Sequence, residues 1–187
     1  GDTRLEHDDA GNPVKQIPAD GRSAERKFDA LGRVTHIAYS DGATTTYAYD
    51  TPANGCLPGA DFAVGRLSEV IDRDGATSFC YDFAGRVLQK IQKVRGVRLE
   101  VRYTYTVAGR LASVRYPGGR TLTYGRDIAG NVTHIDSSTG TGAAQAIASD
   151  VSHDAAGHLT GWTAGGRRVH RLYNSGGYLS DLGDGKD

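Results

Sequence analysis

Tyr81-Asp82-Phe83-Ala84-Gly85-Arg86-Val87-Leu88-Gln89-Lys90-Ile91 is written, with variations, again and again along this chain. The phrase is an aromatic residue, Asp, two variable residues, Gly, a polar residue that is often Arg, and then apolar residues. It recurs around Gly11, Gly32, Gly65, Gly85, Gly109, Gly130, Gly157 and Gly177, at intervals of 21, 33, 20, 24, 21, 27 and 20 residues. A sustained period of about twenty residues identifies a repeat array, in which each unit buries its apolar side only against its neighbours.

Each phrase reads as a tight reversal. Asp opens a turn because its carboxylate accepts a backbone N–H two residues on. It holds that place at Asp8, Asp29, Asp50, Asp82, Asp127 and Asp154, with Thr106 and Asn174 as substitutes. Gly three residues later supplies a positive φ. Between phrases stands a second signal: Asp20-Gly21, Asp41-Gly42, Asp74-Gly75, Arg95-Gly96, Gly118-Gly119 and Gly165-Gly166. Such pairs between β-rich runs mark hairpins. The segments entering the phrases alternate, as in Thr45, Tyr47, Tyr49 and in Leu99, Val101, Tyr103, Tyr105, which is the period of a half-buried strand. Arg98, Glu100 and Arg102 fall on the other side, and no segment carries a helical stripe. The expectation is an all-β chain: tandem antiparallel hairpins in a curved or spiralling sheet of about sixteen strands.

Composition agrees. The 187 residues include 26 Gly, ten Tyr, one Trp and no Met, which suits many short strands and dense turns. Lys plus Arg equals Asp plus Glu at 22 each, so bulk charge favours neither nucleic acid nor a membrane surface. No apolar run approaches the length of a membrane-spanning helix, and no signal peptide opens the chain. A single array over 1–187 is expected, cut from a longer one, since Gly1-Asp2-Thr3 reads as the tail of a turn and Gly183-Asp184-Gly185 as the start of another. Residues 51–64, with Pro52, Pro58 and Asn54-Gly55, read as an inserted surface loop. Residues 137–149, rich in Ser, Thr, Gly and Ala, read as a flexible loop or a weakly paired strand.

Chemistry is sparse. The six turn aspartates share one context, and one structural reason covers them all, whereas a glycosidase needs two carboxylates facing across a bond. His7, His36, His134, His153, His158 and His170 lack zinc-site spacing, and His7 and His153 fill the aromatic slot of a phrase. No catalytic residue, metal site or cofactor site emerges. Cys56 and Cys80 have two readings: a disulfide closing 23 intervening residues, worth ~3 kcal/mol, or two free thiols. Arg33, Arg66, Arg86 and Arg110 could form a basic ladder for acidic glycans, or stack on Tyr and pair with Asp.

Tyr81-Asp82-x-x-Gly85-Arg86, Tyr49-Asp50, Phe28-Asp29-x-x-Gly32-Arg33-Val34 and Tyr105-x-x-x-Gly109-Arg110-Leu111 resemble the YD repeats of the RHS family, over essentially the whole chain. The resemblance implies a hairpin array spiralling into a hollow shell around the protein's own C-terminal toxin domain, in secreted bacterial toxins. Insecticidal toxin-complex B/C subunits and teneurins are further relatives. The Asp- and Gly-rich segment that ends the bacterial shell has no counterpart here, so no protease site is carried over. The resemblance therefore implies a non-enzymatic scaffold, secreted or on the cell surface, whose partners are the rest of its shell and the toxin. Unpaired edge strands add edge-to-edge self-association as an expectation. The alternative is a cell-surface adhesion or glycan-binding module.

Overall fold

The computed structural model describes residues 2–184, and every described element is a β-strand. The strands are β1 (Arg4–His7), β2 (Pro13–Ile17), β3 (Ala24–Phe28) and β4 (Val34–Tyr39). They continue with β5 (Thr44–Tyr49), β6 (Leu67–Asp72), β7 (Gly75–Tyr81) and β8 (Val87–Val94). Next come β9 (Val97–Tyr105), β10 (Leu111–Arg115), β11 (Arg120–Arg126) and β12 (Val132–Thr139). Last are β13 (Gln145–His153), β14 (Leu159–Ala164), β15 (Arg167–Tyr173) and β16 (Leu179–Gly183). Strand order in the 16-stranded antiparallel sheet is sequence order. The chain forms two compact units, 1–100 and 101–187, with the division inside β9.

The two kinds of connection differ. Each phrase turn carries a register shift: Phe28 pairs with Val34 and Tyr81 with Val87, skipping five residues. That is a type I turn followed by a glycine bulge, one of the common longer hairpin loops. The glycine turns between phrases vary. Arg95-Gly96 has positive φ at both residues, 48° and 81°, the mirror-image turn that matches strand twist. At Asp41-Gly42 the chain instead repeats the phrase geometry, with Gly42 N–H donating to Tyr39 C=O at 3.0 Å. Gly183 closes β16; Gly1 and Gly185, which the sequence places in turns, lie outside the described residues.

The insertion 51–64 departs from expectation. It contains the two most buried alanines, Ala60 and Ala63, at 1% and 2% exposure. In this unit it lies on the face of β7 and β8 that carries Ser78, Cys80, Gln89 and Ile91, all buried. Tyr81 N–H donates to Ala60 C=O, Phe62 N–H donates to Tyr81 C=O, and Asp61 bridges Tyr81 in parallel. A single sheet layer has nothing to bury one face against; the insertion supplies that second layer, so only part of it is surface loop. Pro52 and Pro58 stay exposed, where their missing N–H costs nothing.

Gln89 anchors the layer. Fully buried in mid-strand, its amide oxygen accepts Leu57 N–H at 3.0 Å, while its NH2 donates to Glu100 at 2.9 Å and Gly55 C=O at 3.4 Å. Gln89→Leu keeps the volume but strands those partners, and it should cost about 2 kcal/mol by denaturant unfolding. A loss under about 0.5 kcal/mol would mean that water replaces the amide.

Residues 137–149 take the second of their two readings, the paired strand. They are the inner arms of the β12–β13 hairpin, with Ile135 opposite Ala148 and Ser137 opposite Gln145. The register slips between Ile135 and Asp136, and Asp150 takes φ 50° in a further irregularity. Backbone pairing does not require apolar side chains, so a polar run can pair as a strand.

Candidate functional site

The repeated turn is the one feature that the chain builds many times with the same chemistry. At Asp29, Oδ1 accepts the N–H groups of Leu31 and Arg33, both at 2.9 Å, and Oδ2 accepts Arg33 Nε at 2.7 Å. Asp29 N–H donates to Arg33 C=O and Gly32 N–H donates to Asp29 C=O, closing the loop. Asp82 with Arg86, Asp8 and Asp127 with Asn12 and Asn131, and Asp154 with His158 repeat this set. Asn174 accepts the same two N–H groups, from Gly176 and Tyr178, and Thr106 Oγ1 accepts Arg110 N–H. Gly11, Gly32, Gly65, Gly85, Gly109, Gly130, Gly157 and Gly177 all have φ between 73° and 86°.

Asp50 is the exception that rebuilds the rule. Its phrase is interrupted by the insertion, and Gly65 and Arg66 arrive fifteen or more residues later. Even so, Asp50 N–H donates to Arg66 C=O at 3.1 Å and Asp50 Oδ1 accepts Gly65 N–H at 2.7 Å. The turn is assembled from both sides of the insertion. Asp50 itself takes φ 67°, a conformation that Asp tolerates better than most residues.

Several turns are also tied to the next. Tyr49 O–H donates to Val34 C=O, Tyr81 O–H to Leu67 C=O and Tyr173 O–H to Leu159 C=O, at 2.7 to 3.0 Å. In every case the tyrosine opens one phrase and the carbonyl follows the phrase before it. Arg126 fills the tyrosine slot of its phrase and makes the same link, donating from Nη2 to Leu111 C=O at 3.0 Å. The residue after Gly points forward. Arg33 lies 4.4 Å over the Tyr49 ring and salt-bridges Asp50, Arg66 lies 5.8 Å over Tyr81, and His158 stacks on Tyr173 at 4.7 Å. Arg66 and Arg110 fill the space a side chain would take at Gly85 and Gly130, where an added Cβ would fall 2.4 Å and 0.7 Å from a guanidinium nitrogen. A side chain at either position would displace the neighbouring arginine head, while the positive φ of 82° and 86° is what calls for glycine there.

The electrostatics follow the bonding. Backbone N–H of Arg33 lowers the Asp29 carboxyl below its usual range, the Asn12 amide does so for Asp8, and His158 for Asp154. Burial pushes Asp82 upward, but Arg86 outweighs it and the net shift is down. A depressed carboxyl contributes stability above its unfolded pKa of ~3.9, and the contribution is lost as pH falls through the folded value. Stability should thus be flat from neutral pH to about 5 and fall below about 4. Asp29→Asn and Asp82→Asn should each flatten that acid limb in denaturant melts, whereas an unchanged limb would place the titrating groups elsewhere.

This arrangement bends backbone and couples repeats. No turn carboxyl is raised towards a general acid, and among the described residues no three His, Cys, Asp or Glu side chains gather as metal ligands. Cys56 and Cys80, left open in the sequence, are joined by a disulfide with Cα atoms 5.6 Å apart, tying the insertion to β7. Three contributors had no sequence signal: Gln89 in an apolar strand, Ala60 in a loop, and Arg126 in an aromatic slot.

Geometry of this kind defines a tandem β-hairpin repeat protein whose distinctive residues are architectural. Residues 105–141 match the RHS Repeat family model. Its fold is similar to the crystal structure of TcdB2-TccC3, with TM-score 0.80 at 15% identity over 98% of this chain and 10% of that one. The same complex without its hypervariable C-terminal region gives TM-score 0.79 at 15% identity, over 96% and 10%. A Photorhabdus luminescens Tc holotoxin pore gives 0.66 at 15% identity, over 96% and 11%. The likeness is one of fold, and the chain spans about a tenth of the length of these structures. No curated protein sequence matches it. No described helix is long and apolar enough to cross a membrane.

Proposed function

We propose that this chain is a wall segment of a shell enclosing the C-terminal toxin domain of a secreted Rhs-type protein. The observation that carries the reading is the coupling of turn to turn: side chains whose partners lie in the next repeat favour an extensible wall over a self-contained site. The fold likeness to TcdB2-TccC3, a Tc toxin complex, supports it. The Cys56–Cys80 disulfide suits an oxidising, extracellular destination. On this reading the partners are the remainder of the protein's own array, which would pair with β1 and β16, and the enclosed toxin. The segment itself performs no catalysis.

The test is protease protection in the full-length protein. With residues 2–184 in place, the C-terminal domain should survive trypsin as an intact band; with them deleted, it should be cut at least tenfold faster. Equal cleavage in both proteins would refute a walling role.

A further inference from the structure

In the second unit, an open and almost wholly apolar groove of about 380 Å³ crosses four neighbouring strands. Tyr124 on β11, Val132 and Ile135 on β12, Val151 on β13, and Leu159 and Trp162 on β14 line it. Pairing of Tyr124 with Ile135 and of Ile135 with Ala148 carries the groove from strand to strand on one sheet face. Four strands at ~4.8 Å spacing give it a length of about 14 Å, the reach of an extended alkyl chain of medium length. The volume lies near the lower end of the range of roughly 300–1,000 Å³ for small-molecule sites, which favours a slender occupant. Among the described residues, no carboxylate lines the groove to repel an anion.

One end of the groove is charged. Trp162 pairs with Val169 on β15, and Arg171, two residues on, stands on the same side with its guanidinium 5.1 Å over the indole ring. Arg171 is half-buried, its Nε–H is buried without a hydrogen-bond partner, and no carboxylate lies within ion-pair distance among the described residues. Arg126, at the β11 side, also buries an unpartnered Nε–H, but its terminal nitrogens are taken by the C=O groups of Gly130 and Leu111. Arg171 therefore offers the one unanswered fork beside this groove, and that planar fork matches a carboxylate. A neutral apolar molecule would leave the charge unanswered, and a polyanion would leave the apolar channel empty. We propose that this groove binds a free medium-chain fatty acid, its alkyl chain across β11 to β14 and its carboxylate on Arg171. The inference does not depend on the enclosure reading.

Trp162 is the single tryptophan of the chain, so its fluorescence reports this groove alone. The test is titration of the full chain with decanoate below its micellar concentration, alongside decanol and acetate. Decanoate should shift the Trp162 emission and bind at least ten times more tightly than decanol, while acetate leaves the emission unchanged. Arg171→Gln should remove the preference for decanoate over decanol, and Arg171→Lys should keep part of it. Ala148→Phe, which fills the groove and leaves Arg171 in place, should weaken decanoate at least tenfold. Circular dichroism melts verify that each variant is folded; if Arg171→Gln is not, Arg171→Lys and Ala148→Phe decide. Equal affinities for decanoate and decanol, or decanoate binding unchanged in Ala148→Phe, would overturn the proposal. So would a silent Trp162 throughout the decanoate titration. Mixed phosphatidylcholine and phosphatidylglycerol vesicles that shift Trp162 as strongly as decanoate would assign the groove to a membrane surface and overturn a free acid as its ligand.

Discussion

Gly75→Ala should be among the most damaging single substitutions in this chain, lowering stability by about 3 kcal/mol, with the melting temperature falling by roughly 6–12 °C. Gly75 opens β7 between two partners, Asp72 on β6 and Val94 on β8, with φ 155°. A Cβ there would sit 1.8 Å from the carbonyl oxygen of Lys93 and 2.9 Å from its carbon. Those are backbone atoms of a paired strand, so no rotamer change relieves the clash. Gly42→Ala is the matched control: φ is 81°, but nothing lies within 4 Å of the added carbon. It should cost only the left-handed penalty of about 1–2 kcal/mol. Equal losses at the two sites, measured by urea unfolding, would show that β8 yields at Lys93.

Loss of the Cys56–Cys80 disulfide should cost about 3 kcal/mol, because the link closes a loop with a sequence separation of 24 residues. Cys80 is 1% exposed and packs with Ala60 and Ile91, with Cys56 and Leu88 alongside, in the buried cluster of the first unit. The covalent tie therefore holds the second layer over the sheet. In the Cys56→Ala, Cys80→Ala double variant, hydrogen exchange should rise first at Leu57, Ala60 and Phe62, whose N–H groups bond Gln89, Leu57 C=O and Tyr81 C=O. Exchange at β3 and β4 should change much less. Uniform acceleration throughout 2–100 would mean that the disulfide stabilises the unit globally, with no local role for the insertion.

The period is the legible part of this protein. A turn needs a few residues of special chemistry at fixed offsets, so eight Asp-x-x-Gly-type phrases and the glycine pairs between them announce sixteen strands in sequence order. Coupling between repeats is only half legible. The arginines after Gly suggest stacking or pairing, but Arg33 does both at once, to Asp29 and Asp50 and over Tyr49. Arg126 reads as a break in the pattern until its bond to Leu111 C=O is seen. Burial is the illegible part. A stretch with two prolines and two glycines reads as surface by local propensity, and only the need of a lone sheet face for cover brings Ala60 and Ala63 inside. The polar run 137–149 leaves loop and strand both open for the converse reason: strand pairing there rests on backbone bonds and leaves no apolar signature.

Denaturant unfolding of Asp8→Ala, Asp29→Ala, Asp82→Ala, Asp127→Ala and Asp154→Ala, measured side by side, is the most direct check that these carboxylates exist to shape turns. Each removes bonds to two backbone N–H groups, so every variant should lose stability, with its unfolding midpoint shifted to lower denaturant. Asp82, the most buried, should lose the most. Wild-type stability in most of the five, with a functional defect confined to one, would contradict an architectural role for the repeat.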